Sequence, residues 1–397
     1  MQKVVVSGIG ILTPLGNTME SNWKAMLNAQ HGISELNSRL SVNVAGKVSN
    51  FDLTQFNVKK KFISQMDFQT NMLVYCGLSS LKNAGINWPH DTLKYSTGAI
   101  IGIGNAFTPR YNNIEIQDRN PLWFLETYPN LPLSYLSILA SLKGYGNTVI
   151  SACTSSTHAI GSAFKLIQSG MANTMLAGGV EDKLIEPVIS GFKNLNMCTT
   201  ESNPDIAMRP FDKRRNGFVI GQGACILVLE EYNHAIERGI KPLCQVVGYG
   251  ASLNAKSLTD ADREGMANSM LMAISDANIT PCQIGYINAH GSSTISNDRE
   301  ESLAIKKVFG KNAYNIPVSS TKSMIGHTFA ACGAIESAVC VQSLIEQKVH
   351  ATRNFKEGDV DCDLDFVTQS RPVSMEYCVN NNSGLGGFNA TLVFAKI

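Results

Sequence analysis

The sequence has few charged residues and no closely spaced cysteines, and both shortages exclude classes of protein. Only 16% of its 397 residues are charged and the formal net charge is +1, so no overall electrostatic bias favours nucleic acid or an anionic membrane. Its ten cysteines contain no CxxC pair and no cluster with histidine, unlike a small disulfide scaffold or a zinc site. We therefore expect reduced thiols, no metal ion and no nucleic-acid partner.

Long apolar runs are also missing. No stretch is expected to approach the roughly 18 apolar residues that a membrane-spanning helix needs. The apolar N-terminal run "MQKVVVSGIGILTPLG" is interrupted by Gly8, Gly10 and Pro14, which favours a first strand and turn over a signal peptide. The sequence therefore predicts a cytoplasmic protein with no membrane association.

Short β-branched runs alternate with longer segments of helical periodicity, the pattern of an α/β protein. Two patterns occur twice in the same order. "TVISACTSSTHAIGSAFKLI" at 148–167 resembles "IPVSSTKSMIGHTFAACGAIESAV" at 316–339, and "GFVIGQGACILVLEE" at 217–231 resembles the final "SGLGGFNATLVFAKI". The repeats predict a duplicated unit with its seam at 234–242, and the small-faced helices should be buried between two sheets.

Cys153 ends an apolar strand-like run and begins a helical pattern rich in small residues. The free N–H groups and the dipole of a helix N-terminus stabilise an anion, so a thiol there is expected to have a pKa below its usual value of about 8.5. These features make Cys153 a candidate nucleophile. The alternative is a packed structural thiol, which is the interpretation for most of the other nine cysteines.

Three more residues with useful chemistry follow predicted strands. His290 comes directly after the apolar run "IGYIN", at the end of a strand where α/β proteins form their ligand crevice; a structural histidine is the alternative. Lys322 and His327 follow "IPVSS" among small residues. A lysine in such a setting needs a counter-charge, which Glu301 or Glu336 could supply.

A glycine loop precedes the last predicted strand. In "NNNSGLGGFNATLVF", Gly384, Gly386 and Gly387 permit backbone conformations that a Cβ forbids. Backbone N–H groups in this loop could donate to a developing oxyanion. It is not a phosphate-binding fingerprint, since it lacks the Gly-Lys-Ser/Thr sequence and leads into a strand rather than a helix.

With Cys153, His290, Lys322 and His327 in that order, the chain resembles the β-ketoacyl-ACP synthases, condensing enzymes of the thiolase fold. The resemblance runs from "VVVSGIGILTPLGN" through "MRPFDKRRNGFVIGQGACILVLEEYNHAIERG" to the final strand. It implies an α/β, thiolase-like fold of duplicated βαβαβαββ halves in five layers, α-β-α-β-α. The implied halves are 1–236, which carries the cysteine, and 237–397, which carries the histidines, the lysine and the glycine loop.

The resemblance also implies residue roles. Cys153 would be the acylated nucleophile, and His290, His327 and Lys322 would act beside it in one catalytic pocket. The N–H groups of Cys153 and Leu385 would form the oxyanion hole. Glu301, Glu336 and Asp298 would support the site, and the residues binding substrate or pantetheine would be Ser292, Thr294, Gly384, Gly386 and Phe388.

The implied reaction is a decarboxylative Claisen condensation, in which malonyl-ACP extends an acyl group on Cys153 by two carbons. It would need no metal or organic cofactor. Ser383 and Leu385, where the family often has aromatic residues, and the unusual stretch at 108–130 favour the ketosynthase subunit of a type II polyketide system, polyene or aromatic. The alternatives are a fatty-acid elongation synthase and a non-catalytic partner like a chain-length factor, against which Cys153 argues.

Two kinds of partner follow from the same resemblance. Acyl carrier protein would deliver both substrates. The strand containing "GNTVIS" at 146–151 is expected to pair across a two-fold axis with a second subunit. That subunit would be a second copy of the chain or a homologue that resembles a chain-length factor.

Overall fold

The structure is a computed structural model that describes residues 1–36, 40–93, 97–104, 115 and 123–397. In these residues the strands are β1 (Val4–Leu12), β2 (Ile33–Glu35), β3 (Val44–Gly46), β4 (Thr97–Ile103), β5 (Gly146–Val149), β6 (Thr174–Glu181), β7 (Gly223–Glu231), β8 (Cys244–Leu253), β9 (Ile284–Asn288), β10 (Val318–Ser319), β11 (Lys348–Val349), β12 (Arg371–Pro372), β13 (Tyr377–Gly384) and β14 (Phe388–Ala395).

The helices alternate with the strands along most of the chain, as the sequence predicts. They are α1 (Met19–Leu27), α2 (Lys60–Gln65), α3 (Phe68–Asn83), α4 (Leu131–Ala140), α5 (Ser155–Gln168), α6 (Glu186–Asn194), α7 (Tyr232–Glu237), α8 (Arg263–Asp276), α9 (Ile295–Phe309), α10 (Lys322–Ile325) and α11 (Cys332–Glu346). The unusual stretch at 108–130, which the sequence analysis used to favour a polyketide system, lies mostly outside the described residues. Only residue 115 and residues 123–130 of it are described.

The main sheet repeats one strand order twice. Its ten described strands run β10-β9-β13-β14-β8-β1-β7-β6-β4-β5. From the middle outward, each half has two antiparallel strand pairings followed by two parallel ones. The halves are β1-β7-β6-β4-β5 and β8-β14-β13-β9-β10. The duplicated α/β architecture is therefore confirmed.

The two halves are joined more closely than the sequence suggests. Val4–Val6 of β1 pair antiparallel with Cys244–Val246 of β8, so the expected two sheets are continuous with each other. The predicted boundary at 236/237 falls in α7, between the two sets of strands. That domain boundary stays a prediction.

Helices α5 and α11 form the central layer. They contact each other and strands of both halves, while α3 and α4 cover one outer face and α8 and α9 lie on the other. A glycine permits the close approach of the central helices, because a Cβ on Gly333 of α11 would lie 2.0 Å from the Thr157 hydroxyl of α5. Burial of small-faced helices between the two halves of the sheet gives the five layers that the resemblance implies.

The central layer also explains one departure from the sequence analysis. Phe329–Glu346, which includes α11, has the length and apolar composition of a membrane span, so the expectation that no stretch approaches that length is wrong. In the folded protein 83% of this segment is buried, since it lies between the two halves of the sheet. The apolar side chains of this segment therefore contribute to the hydrophobic core.

Candidate active site

Segments at the carboxyl ends of strands from both halves converge on one cleft. Cys153 lies in a short 3-10 turn between β5 and α5, and His290 follows β9. His327 follows α10, and Leu385 follows β13. All four line a cavity of about 370 Å3. The cleft therefore occupies the crevice position that α/β proteins use for ligands.

The turn before Cys153 is strained and presents the thiol to the cleft. Ala152 has a left-handed φ of 52°, a conformation that costs a non-glycine residue about 1–3 kcal/mol. Cys153 itself is 6% exposed. Gly384 faces its backbone from the glycine loop, and a Cβ on that glycine would lie 3.0 Å from the Cys153 nitrogen. The glycine therefore keeps the approach to this N–H group open.

The thiol of Cys153 does not have the lowered pKa that its position at a helix start suggests. Burial raises its pKa to about 12, even though the Lys322 charge acts in the opposite direction. The expectation is wrong because removal of the sulfur from water outweighs the charge of the lysine and the hydrogen bond from the Leu385 backbone. Burial of the sulfur therefore favours the thiol form over the thiolate at neutral pH.

The glycine loop meets Cys153 through Leu385. The Leu385 N–H group donates to the Cys153 sulfur, so this predicted oxyanion donor lies at the candidate nucleophile. Further along the loop, Gly386 N donates to the Leu258 carbonyl at 2.8 Å, and the Phe388 ring packs edge-on against His158 with centroids 6.3 Å apart.

Only some of the residues expected to bind substrate reach the cleft. Ser292, Thr294 and Gly384 line it. Gly386 and Phe388 are not among its lining residues, because the chain turns away after Leu385 to enter β14. The glycine pattern identifies the loop, but it does not show that only the first part of the loop reaches the cleft.

The two histidines face each other and are uncharged at neutral pH. The His290 and His327 rings lie 5.3 Å apart in an edge-to-face arrangement. Burial holds the pKa of each imidazole well below its usual value, and the positive charge of Lys322 adds to the effect. Neutral imidazoles in a dry pocket can donate a hydrogen bond without carrying a charge of their own.

A backbone hydrogen bond sets the tautomer of His327. The Phe329 N–H donates to His327 Nδ1 at 3.2 Å, so the ring proton resides on Nε2. The Phe329 ring stacks on the imidazole with centroids 4.4 Å apart. His327 is therefore a fixed hydrogen-bond donor.

Cys153, His290 and His327 also have the spacing of a metal site. One ligand atom from each lies within 4.8 Å of the others, and a thiolate with two imidazoles suits zinc. A metal, however, would need the lone pair of an imidazole nitrogen that in His327 carries the proton. The nearby Lys322 charge opposes a cation as well, so this geometry favours hydrogen-bond donation over metal binding.

Lys322 lies behind the cleft and is fully buried. Its ammonium pairs with Glu336 and donates to the His290 carbonyl oxygen at 2.6 Å. Glu301 instead accepts from the His290 and Gly291 N–H groups, both at 2.8 Å. Of the two carboxylates that the sequence offers as partners of the lysine, Glu336 makes the direct ion pair, and Glu301 holds the histidine loop.

Asp298 supports the same loop from α9. One of its oxygens accepts from the Phe211 N–H at 2.7 Å, and both accept from the Ser293 N–H. Arg215 lies 3.8 Å from the carboxylate. Asp298 therefore joins the segment around Phe211 to the loop that carries Ser292 and Thr294.

Comparisons with known proteins assign the chain to a family. Residues 1–235 match the family described as "Beta-ketoacyl synthase, N-terminal domain", and residues 243–356 match "Beta-ketoacyl synthase, C-terminal domain". The chain belongs to the β-ketoacyl synthase family. It is a condensing enzyme of the acyltransferase class.

Curated relatives of this β-ketoacyl synthase match over their full lengths. A 3-oxoacyl-acyl-carrier-protein synthase 2 from Vibrio harveyi is 37% identical, with 100% of this chain and 99% of the relative covered. The protein of the same name from Synechocystis sp. is 34% identical, with 100% and 98% covered.

Solved structures agree with the fold of this β-ketoacyl synthase over its whole length. A β-ketoacyl synthase from Burkholderia phymatum gives a TM-score of 0.94 at 30% identity, with 100% of both chains covered. A type II PKS ketosynthase, solved in complex with its acyl-carrier protein and bound to the hexaketide, gives 0.90 at 29% identity, again with 100% of both covered. The thiolase-like fold is thereby established.

Sequence reasoning missed an aromatic wall in this β-ketoacyl synthase. Phe192, Phe218 and Phe329 contact one another with ring centroids 5.0–5.5 Å apart, and all three line the cleft. Phe218 and Phe329 also pack on His327. The one available signal was Phe329, a large residue in the small-residue segment "HTFAAC".

Proposed function

We propose that this β-ketoacyl synthase elongates fatty acyl chains carried on acyl carrier protein. The single observation that carries the proposal is the arrangement of Cys153 beside two neutral histidines in one cleft. Support for the substrate class comes from relatives named 3-oxoacyl-acyl-carrier-protein synthase 2, which are 34–37% identical over the full chain. They favour fatty-acid elongation over the polyketide function that the glycine loop suggested.

The first half-reaction transfers the acyl group to Cys153. Its sulfur attacks the thioester carbonyl of the incoming acyl carrier, and the carbon–sulfur bond to pantetheine breaks. The proton of the thiol ends on the leaving pantetheine sulfur. The N–H groups of Cys153 and Leu385 are the proposed donors to the tetrahedral oxyanion, since both lie at the nucleophile.

The second half-reaction uses the histidines. Malonyl thioester enters the emptied cleft, and its carboxylate leaves as carbon dioxide while the electron pair forms an enolate. His290 and His327 donate hydrogen bonds to the enolate oxygen, and Lys322 supplies a fixed positive charge behind them. The enolate carbon then attacks the acyl carbonyl on Cys153, whose sulfur leaves and takes up a proton. The chemistry needs no metal or organic cofactor.

The polyketide function remains a second candidate because specific observations favour it. Ser383 and Leu385 line the cleft where the family often has aromatic residues, so they leave more room beside Cys153. A solved structure described as the ishigamide ketosynthase/chain length factor gives a TM-score of 0.91 at 25% identity. A longer or more unsaturated acyl chain would be the distinguishing substrate.

We also propose acyl carrier protein and a second subunit as partners. Strand β5 is at one end of the described sheet, and beside it Tyr145 and Ile150 are 49% and 53% exposed. Ile138 of α4 is 62% exposed. An edge strand flanked by exposed apolar side chains suits β-pairing with a homologous subunit, either a second copy or a chain-length-factor-like chain. A cytoplasmic location stays our expectation.

The test combines intact-mass analysis with a panel of acyl carriers. Saturated acyl-ACPs of increasing length and a polyketide-type polyenoyl-ACP are incubated with the protein, and malonyl-ACP is added to each. Fatty-acid elongation predicts acylation and two-carbon extension of the saturated chains. Extension of the polyenoyl chain alone would favour the second candidate, and no acylation with any carrier would contradict both.

A further inference from the structure

A path of buried hydrogen bonds connects α5, the helix that begins beside Cys153, to the loop of His290. The Thr157 hydroxyl donates to Asn382 Oδ1 at 2.6 Å. Asn382 Nδ2 donates to Glu336 Oε2, also at 2.6 Å. The second Glu336 oxygen pairs with Lys322, which donates onward to the His290 carbonyl. The path therefore crosses from the cysteine half of the protein to the histidine half.

Because the path is buried, loss of any of its hydrogen bonds would leave a polar group without a partner and away from water. Thr157, Asn382, Glu336 and Lys322 are all 0% exposed. A buried carboxylate and a buried ammonium are stable only when both are paired and their remaining hydrogen-bonding positions are satisfied. Burial raises the pKa of Glu336, and its bonds with Lys322 and Asn382 oppose that rise. Asn382 therefore helps to keep the carboxylate ionised.

Thr157 determines which end of the Asn382 amide meets the carboxylate. Because the hydroxyl donates to Oδ1, the amide must direct its Nδ2 donors to Glu336. A reversed amide would place one oxygen against another, without a proton between them. The hydroxyl on α5 thus fixes an amide on β13, and the amide stabilises a charge on α11.

We propose that Thr157 and Asn382 are positioning residues that hold the Lys322–Glu336 pair in its charged form behind His290 and His327. This inference rests on the proposed function, in which the lysine charge supports the enolate-stabilising histidines. Neither residue lines the cleft. They act on malonyl decarboxylation through the lysine, and wherever the pair keeps its charges they leave the initial transfer of the acyl group to Cys153 unaffected.

The consequence is a defined pH dependence. Loss of the Asn382 donor raises the pKa of Glu336, so the carboxylate takes up a proton at a higher pH than in the unaltered protein. The ammonium is then left without counter-charge in a dry pocket and loses its proton or its position. Other titratable groups that face the pair are common to all variants compared: His290 and Tyr286 from the β9 segment, Glu301 from α9, Cys332 from α11, His327, and Cys153.

The experiment compares Thr157→Val with Thr157→Ser in the full-length protein. Valine keeps the shape and removes the donor, whereas serine keeps the donor. Carbon dioxide release from malonyl-ACP and acyl transfer to Cys153 are measured from pH 5 to 9. The acid limb is the part of the pH profile in which the rate of carbon dioxide release falls as the pH is lowered. In Thr157→Val we expect the midpoint of this limb to shift to a higher pH by about one unit, because a hydrogen bond to a charged group has about that effect on a pKa.

The controls separate this inference from folding and from the proposed function. Thr157→Ser should retain the unaltered acid limb, and at pH 9, where the pair keeps its charges in every variant, acyl transfer should match in all three proteins. Thr157→Ala provides a second donor-free variant in case valine impairs folding, which thermal unfolding will reveal. An unaltered acid limb in a folded donor-free variant overturns the inference. Absence of carbon dioxide release from the unaltered protein overturns the proposed function instead.

Discussion

The main-chain N–H of Phe329 donates to Nδ1 of His327 at 3.2 Å, and the Phe329 side chain stacks on the same imidazole. One residue therefore fixes both the tautomer and the plane of the ring. Phe329 itself adopts a left-handed φ of 42°, an unfavourable conformation for a non-glycine residue. Strain at this position is consistent with a site whose donor geometry is set before substrate arrives.

His327→Ala should separate the two half-reactions. Transfer of an acyl group to Cys153 should persist, whereas malonyl-ACP decarboxylation should fall by about 10²–10³, the usual loss for one oxyanion-type donor. Quenched-flow measurement of both steps checks this, with the exposed His90→Ala as the matched control. Decarboxylation at the unaltered rate in His327→Ala would contradict the role proposed for this imidazole.

Cys153 should be the one cysteine that acyl-ACP acylates. Cys332 is the sharpest control, because its thiol is also buried and donates to the Cys153 carbonyl oxygen at 3.2 Å, yet it does not line the cleft. Peptide mapping should locate the acyl group on Cys153 in Cys332→Ala and find none in Cys153→Ala. An acyl group on any other cysteine would exclude the proposed nucleophile.

The sequence predicted where the reactive side chains lie better than it predicted their ionisation. Cys153, His290 and Lys322 each follow a strand in a repeated pattern. The parallel pair β9 and β10 brings His290 and Lys322 to one edge of the sheet, whereas Cys153 follows β5 at the other end of the strand order and occupies the equivalent crevice position of its own half. Their local sequence therefore carried the necessary information. The raised pKa of Cys153 results from burial by segments distant in sequence, which no local pattern records.

Choices between similar residues also depended on tertiary packing. Glu301 and Glu336 both lie on helices after a reactive residue, and only the approach of α11 to α10 selects Glu336 as the lysine's ion-pair partner. Phe388 and Leu385 belong to one glycine-rich motif, but the turn into β14 separates them. The residues themselves were identifiable, whereas their contacts required the fold.

Alkylation of Cys153 should report its raised pKa. Because a thiolate is the reactive form and burial raises the pKa of this thiol to about 12, the rate with iodoacetamide should still increase about tenfold per pH unit up to pH 10. Mass spectrometry of the peptide that contains Cys153 measures the rate. The exposed Cys282 serves as the internal control, and a rate for Cys153 that levels off below pH 8 would show that its thiol ionises readily.

Gly333→Ala should destabilise the protein through the central layer. A Cβ at this position would lie 2.0 Å from the Thr157 hydroxyl and 2.8 Å from Asn382 Oδ1, so α5 and α11 would have to separate. Overpacking of this kind costs about 1–3 kcal/mol in the free energy of unfolding, measurable by denaturant titration. The matched control is Gly191→Ala on α6, where an added Cβ has no described atom within 4 Å apart from its chain neighbours and the backbone of its own helix. In that open helical position alanine should stabilise by about 0.5–1 kcal/mol. Equal stability changes in the two variants would contradict the close approach of the central helices.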